Sequence, residues 1–282
     1  MNKFITLALS AGLLVSCSDI KESEKTMTNT EKETTTEMKT DNRTETATTE
    51  ETKKDLWEIP DVDVSHIDPN NRLICFTFDD GPKTETSFKL LKVFENFNKN
   101  NPSFEAHGTF FYVGNNINDM TKSIIEKAVE QKFQIGNHTL THSHLENMTK
   151  EEILNEVNTP LNRLKEIIPI ENALVRPPFG TTNSLVLDTI DAPLINWTTD
   201  PDLDALDWAG KTTDEIYNKI YKNAVDGGII LMHEGYETSV EAVKRLLPDL
   251  MEKGFQVVTI HEYLKVREIQ LEKHKVYWSL FE

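Results

Sequence analysis

Arg72-Leu-Ile-Cys-Phe-Thr-Phe-Asp-Asp-Gly-Pro82 is the stretch on which the fold turns. Arg72 to Phe78 is an apolar run of strand length, and it passes without a spacer into two carboxylates and a Gly-Pro turn. Working outward, helical patterning covers Lys83 to Phe97 and Met120 to Gln131, with strand candidates at Thr109 to Val113 and Gln134 to Asn137. Thr149 followed by Glu152 is a capping box that opens a helix to about Ile167. Thr212 and Glu215 repeat the device before a helix to about Ala224. Ala173 to Val175, Leu194 to Trp197, Gly228 to Met232 and Phe255 to Thr259 complete about seven short strands. This alternation predicts an α/β domain of parallel strands with helices outside, either a (β/α) barrel or a doubly wound sheet.

Both architectures place active-site residues at the C-terminal ends of the strands. Four strand candidates end in reactive clusters: Asp79-Asp80-Gly81-Pro82, His138-Thr139-Leu140-Thr141-His142, Arg176-Pro177-Pro178-Phe179-Gly180 and Leu231-Met232-His233. Singly, each has a plain structural reading, since Asp-Asp-Gly-Pro is a turn signal and a His pair at i, i+4 is commonly a capping or solvated pair. Their shared placement on one rim is hard to obtain by accident.

These segments, with Asp204-Ala205-Leu206-Asp207-Trp208, resemble the five ordered motifs of the NodB-homology polysaccharide deacetylases, carbohydrate esterase family 4. The resemblance covers about residues 70 to 265. It implies a distorted (β/α) barrel, one divalent metal and the removal of N- or O-acetyl groups from sugars. On that basis Asp80, His138 and His142 are expected to be the metal ligands, a His2Asp set that suits zinc first and also cobalt, nickel or manganese. Asp79 is left as the general base for the attacking water, oriented by Arg176. His233 is the expected acid for the leaving amine, with Asp207 holding it as an imidazolium. In relatives the oxyanion receives the backbone N–H of the aromatic residue in the third motif, here Phe179. Leu231 and Trp208 are expected to form the apolar pocket for the acetyl methyl.

The fourth motif departs from the family pattern. Trp197-Thr-Thr-Asp200 is followed by extra residues before Asp204-Ala-Leu-Asp207-Trp208, so either Asp200 or Asp204 fills the upstream aspartate position. Phe179 stands where many relatives have Tyr, which matters little for a backbone donor. His144 is expected to face away from the His pair, and His66, His107, His261 and His274 carry no motif.

The chain has 282 residues, 30 basic and 47 acidic, and a formal charge of -17. That balance argues against a nucleic-acid partner, and two cysteines exclude a disulfide scaffold. The charge is unevenly spread. Residues 18–55 contain 12 Thr, 11 acidic and 7 basic residues among 38 positions, too little apolar surface to offset chain entropy, and read as a disordered tether. Residues 1–17 run from Lys3 through an apolar core from Phe4 to Val15, too short to span a bilayer, into Ser16-Cys17. Leu14-Val15-Ser16-Cys17 resembles the bacterial lipobox, implying acylation of Cys17 and a lipid anchor on an extracytoplasmic membrane face. Cys75, inside an apolar run, is then a buried core thiol. Residues 56–282 form the expected catalytic domain, acting on N-acetylated cell-wall or extracellular polysaccharide, with no protein partner predicted. The alternatives are an O-acetyl esterase on xylan-type polysaccharide and a non-catalytic carbohydrate-binding lipoprotein. The tail after Arg267, with Tyr277, Trp278, Leu280 and Phe281, is expected to pack back on the domain.

Overall fold

The computed structural model describes residues 54–281. The signal-peptide and tether assignments lie outside that range, Cys17 among them, except for Lys54 and Asp55. No helix among the described residues is long and apolar enough to cross a membrane.

Seven strands and seven α-helices follow one another along the described chain. The strands are β1 (Arg72–Gly81), β2 (Thr109–Tyr112), β3 (Gln134–Asn137), β4 (Leu194–Ile195), β5 (Ile229–His233), β6 (Phe255–Val258) and β7 (Val276–Tyr277). The helices are α1 (Thr84–Asn100), α2 (Lys122–Glu130), α3 (Lys150–Lys165), α4 (Ser184–Thr189), α5 (Thr213–Asn223), α6 (Glu237–Glu252) and α7 (Ile260–Val266). Strands pair in the order β3-β2-β1-β5, with β6 also on β1 and β4 on β7, and every strand pairing is parallel. Single bridges close the remaining gap: Val175 links Asn137 to Leu194, and Asp204 pairs with Leu231. The sheet therefore curls into a distorted barrel, which decides between the two expected architectures.

β1 is central because it is buried along almost its whole length, with Leu73 to Phe78 fully covered. Strands wrapped on both faces are near-continuously apolar, as this one is. Cys75 sits in it as a free, buried thiol, and burial raises its pKa well above the ordinary range. Outside the barrel α1 and α6 close over β1 and β5 with Leu90, Leu91, Phe94, Val243, Leu246 and Leu247. Thr149 and Thr212 make the expected capping boxes, and Thr259 makes a third for α7.

Two expectations change. The strand expected at Ala173 to Val175 shrinks to the Val175 bridges. Pro177 and Pro178 follow at once, and residues without an N–H cannot carry a ladder forward. α6, unassigned from the sequence, has Tyr236 at its N-cap with no side-chain cap and Pro248 inside it, so it lacks the start signal that α3 and α5 carry. The tail packs back as expected, and it does so as a strand. β7 extends β4, Leu280 is buried, and Trp278 meets the Trp197 ring edge-on at 5.8 Å.

Candidate active site

In a regular strand, neighbouring side chains point to opposite faces, so Asp79 and Asp80 should not share a site. A bulge resolves this. The pairing of β1 with β2 slips between Asp79 and Gly81, and Asp80 adopts φ 69°, in the left-handed region. Both carboxylates then face the same imidazole: His138 Nε2 is 3.6 Å from Asp79 Oδ2 and 3.7 Å from Asp80 Oδ1. Gly81 is needed for a different reason, since a Cβ there would meet Glu234 Oε1 at 1.8 Å. Burial pushes the Glu234 carboxyl up to about 8, against a hydrogen bond from Ser87 that pulls it down.

β3 delivers His138 and the loop to His142. Thr139 and His142 both have positive φ, and buried Glu156 of α3 holds the loop by accepting from the N–H groups of Leu140 and Thr141 at 3.0 and 2.9 Å. His142 Nε2 thereby lies 3.3 Å from Asp80 Oδ1. Glu156 escaped the sequence reading, although a lone acid on the buried face of an amphipathic helix is its signal. Glu156→Ala should weaken divalent-metal binding at this loop by roughly 10 to 100-fold, the usual effect of losing a group that orients ligands, as titration calorimetry would show.

Asp80, His138 and His142 form a group whose ligand atoms lie within 4.8 Å of one another. Two further observations fit a cation here. Asp80 Oδ1 is buried with no hydrogen-bond partner. His138 Nδ1 donates to the Arg176 carbonyl at 2.8 Å, which fixes the tautomer and leaves Nε2 as a lone pair. Ligands about 2.0 to 2.2 Å from a tetrahedral ion stand roughly 3.3 to 3.6 Å apart, close to the separations seen. Burial lowers the His138 pKa despite the neighbouring Asp79 and Asp80 charges, which favours the neutral, ligating imidazole.

Arg176 is fully buried and uses four of its five donors. Nη1 reaches Asp79 Oδ1 and Thr77 Oγ1, each at 2.7 Å, while Nε and Nη2 donate to the Ile195 and Asn196 carbonyls at 2.9 and 3.0 Å. Its guanidinium lies 4.1 Å over the Phe111 ring. Asp79 is thus held by one oxygen, and its other oxygen faces His138.

β5 places His233 beside Asp79, the two being register partners on adjacent strands. Asp207, in a 3-10 turn over residues 207–209, accepts from His233 Nδ1 at 2.7 Å, His233 N at 2.8 Å and Ser239 Oγ at 2.5 Å. Ser239, on the unassigned α6, is a further support that the sequence reading missed. Burial alone would lower the His233 pKa. The hydrogen bond and charge of Asp207, with the fields of Asp79 and Asp80, outweigh it and raise it to about 9.

The remaining expected residues gather at the same rim. The Phe179 N–H has no intramolecular acceptor among the described residues, and its half-exposed ring is stacked on His144 at 4.0 Å. His144 therefore supports that ring and stays out of the ligand group. Leu231 is buried two residues before His233 on the same face of β5, and Trp208 is half-exposed beside Asp207. Asp204, partly buried, bridges Leu231, whereas Asp200 lies exposed in a turn. Five of the eight positive-φ residues other than Gly are Asp80, Thr139, His142, Phe179 and Leu206, all here. At about 1 to 3 kcal/mol each, such strain is concentrated where function over-determines the backbone.

A parallel α/β barrel with this rim matches known proteins. The polysaccharide deacetylase family model covers residues 66–192. A peptidoglycan-N-acetylglucosamine deacetylase of Bacillus cereus is 30% identical over 201 residues, 68% of each chain. The peptidoglycan-N-acetylmuramic acid deacetylase PdaC of Bacillus subtilis is 28% identical over 202 residues, 72% of this chain, which spans only 41% of that protein. Among solved structures, a family 4 acetyl xylan esterase from Clostridium thermocellum in complex with a cobalt ion is 25% identical with TM-score 0.67, over 74% of this chain and 98% of its own. The chain belongs to the polysaccharide deacetylase family.

Proposed function

We propose that this domain is a metal-dependent hydrolase that removes the acetyl group from N-acetylated glycan of the cell wall. The observation that carries the reading is the pairing of Asp79 with His233 on adjacent strands, each held by its own partner, beside the Asp80, His138 and His142 group. A divalent ion held by those three would supply Lewis-acid polarisation of the acetyl oxygen and acidify the attacking water. Asp79 takes the proton of that water through Oδ2. Arg176 fixes the carboxylate and, being buried, keeps it paired with a permanent positive charge. The Phe179 N–H donates to the developing oxyanion. His233 delivers its proton to the departing nitrogen, and Asp207 stabilises the imidazolium until it does so. A binding protein would need the ligand group at most. Nothing about glycan binding calls for a buried Arg on one acid and a buried Asp on one imidazole.

His138→Ala should lose one equivalent of metal relative to the unmodified protein, together with acetate release. Undiminished metal content by plasma mass spectrometry would remove His138 from the ligand set.

The peptidoglycan substrates named for the two Bacillus relatives favour an N-acetyl sugar over a xylan ester. An extracytoplasmic location follows from that substrate, with the domain tethered through acylated Cys17. Radiolabelled palmitate should be incorporated into the intact chain and not into Cys17→Ser; equal labelling of both would end the anchor reading.

A further inference from the structure

A second group of ligating side chains lies at the opposite end of the barrel from the rim. His107 precedes β2, Glu262 sits in the first turn of α7, and His66 belongs to the segment leading into β1. Glu262 uses Oε2 to accept from the Thr259 N–H at 2.7 Å, which turns Oε1 toward the two imidazoles: 2.7 Å to His107 Nδ1 and 3.4 Å to His66 Nε2. The rings stand 4.7 Å apart at 62°. On the far side of His107, Nε2 faces Glu105 Oε2 at 3.5 Å, the carboxylate-behind-imidazole arrangement that orients metal-binding histidines. Gln256 ties the two loops together by donating to the carbonyls of His66 and Glu105 at 3.1 and 3.0 Å.

A simple hydrogen-bonded trio accounts for His107 and Glu262 and fails for His66. The His66 side chain is only 8% exposed, yet neither ring nitrogen has a hydrogen-bond partner. An orphaned buried polar group is unfavourable, and this ring is aimed at a carboxylate oxygen it does not hydrogen-bond. We propose that His66, His107 and Glu262 bind a second divalent cation, of the zinc class, that clamps the lead-in segment to the floor of the barrel. Two imidazoles and one carboxylate with ligand atoms within 4.8 Å of one another are the donor set zinc takes. The ion takes the place of the proton between His107 Nδ1 and Glu262 Oε1, as ligands must be deprotonated to bind, and widens their 2.7 Å hydrogen-bond separation to the roughly 3.3 to 3.6 Å of tetrahedral ligands. A cavity of about 1020 Å³ beside the group has Glu262 in its wall, together with Asp61, Asp63, Lys132 and Lys265. The remaining group of this kind, Asp55, Asp191 and His274, does not compete, because Lys273 pairs with both of its aspartates at 3.6 and 2.9 Å.

The test is chelator-stripped protein reloaded with zinc chloride, passed through a desalting column and counted by plasma mass spectrometry. The unmodified domain should hold two equivalents, His138→Ala one, His66→Leu one, and the double variant none. His66→Leu keeps an apolar volume at a position that makes no side-chain hydrogen bond, so it should fold. Zinc should raise the Tm of His138→Ala by roughly 5 to 15 °C and leave the double variant unmoved. Independently of the Leu variant, cobalt added to His138→Ala should develop the visible absorption of a four-coordinate site. Equal metal in the unmodified domain and His66→Leu, or no cobalt band in His138→Ala, would overturn the proposal. Full metal retention in His138→Ala with loss in His66→Leu would instead fault the rim ligand set alone.

Discussion

Asp79→Asn is expected to lower deacetylation of an N-acetylated glycan by about 10² to 10⁴-fold with no loss of metal. The substitution is nearly isosteric and preserves an oxygen for Arg176 Nη1, so the geometry of the rim survives while the proton acceptor is gone. It also has a second consequence. Arg176 is fully buried and Asp79 is its one ion-pair partner among the described residues, so the variant leaves a buried cation whose acceptors, the new amide oxygen, Thr77 and two carbonyls, are all neutral. Breaking a buried pair from one side costs about 3 to 5 kcal/mol, which for a domain of this size lowers Tm by roughly 6 to 20 °C. Rate and stability must therefore be read together, below the lowered Tm. A variant that is destabilised yet keeps its rate per folded molecule would make Asp79 a structural partner of Arg176 and nothing more.

His233→Ala is expected to separate substrates by their leaving groups. On an N-acetyl sugar the amide nitrogen must be protonated to leave, and the loss should reach about 10² to 10⁴-fold. On an aryl acetate the oxide departs unassisted, and the loss should stay within roughly tenfold. The pH profile carries the same information. Burial would lower this imidazole, and the Asp207 hydrogen bond at 2.7 Å with the surrounding carboxylates raises it to about 9. A raised value means that the proton, and any stability tied to it, is present at neutral pH and lost as pH rises through about 9. A cation held by Asp80 offsets that carboxylate's share, so the alkaline limb of kcat on the glycan falls at or below 9. Asp207→Asn should move the limb downward, because burial then acts with less opposition. Equal losses on both substrates, or a limb that ignores Asp207, would move the acid role away from His233.

The rim was legible in the sequence because its residues sit where β1, β3 and β5 stop, and strand ends are marked by an abrupt change from apolar to charged. What could not be read was the backbone. The bulge that brings Asp79 and Asp80 to one side, and the left-handed conformations of Thr139, His142 and Phe179, leave no periodic trace. Supporting residues were fainter still. Glu156 and Ser239 act from helices on partners 16 and 32 positions away, and their roles exist only after those helices pack on the barrel. His66, His107 and Glu262 are separated by 41 and 155 positions, with no spacing rule to join them.

Acetate release, measured by mass spectrometry on peptidoglycan fragments, chitooligosaccharides and acetylated xylan in parallel, with and without chelator, tests the central claim most directly. Acetate is expected from the N-acetylated glycans, abolished by the chelator and restored by a divalent metal. Release that survives thorough chelation, or that comes from acetylated xylan alone, would contradict a metal-dependent N-deacetylase.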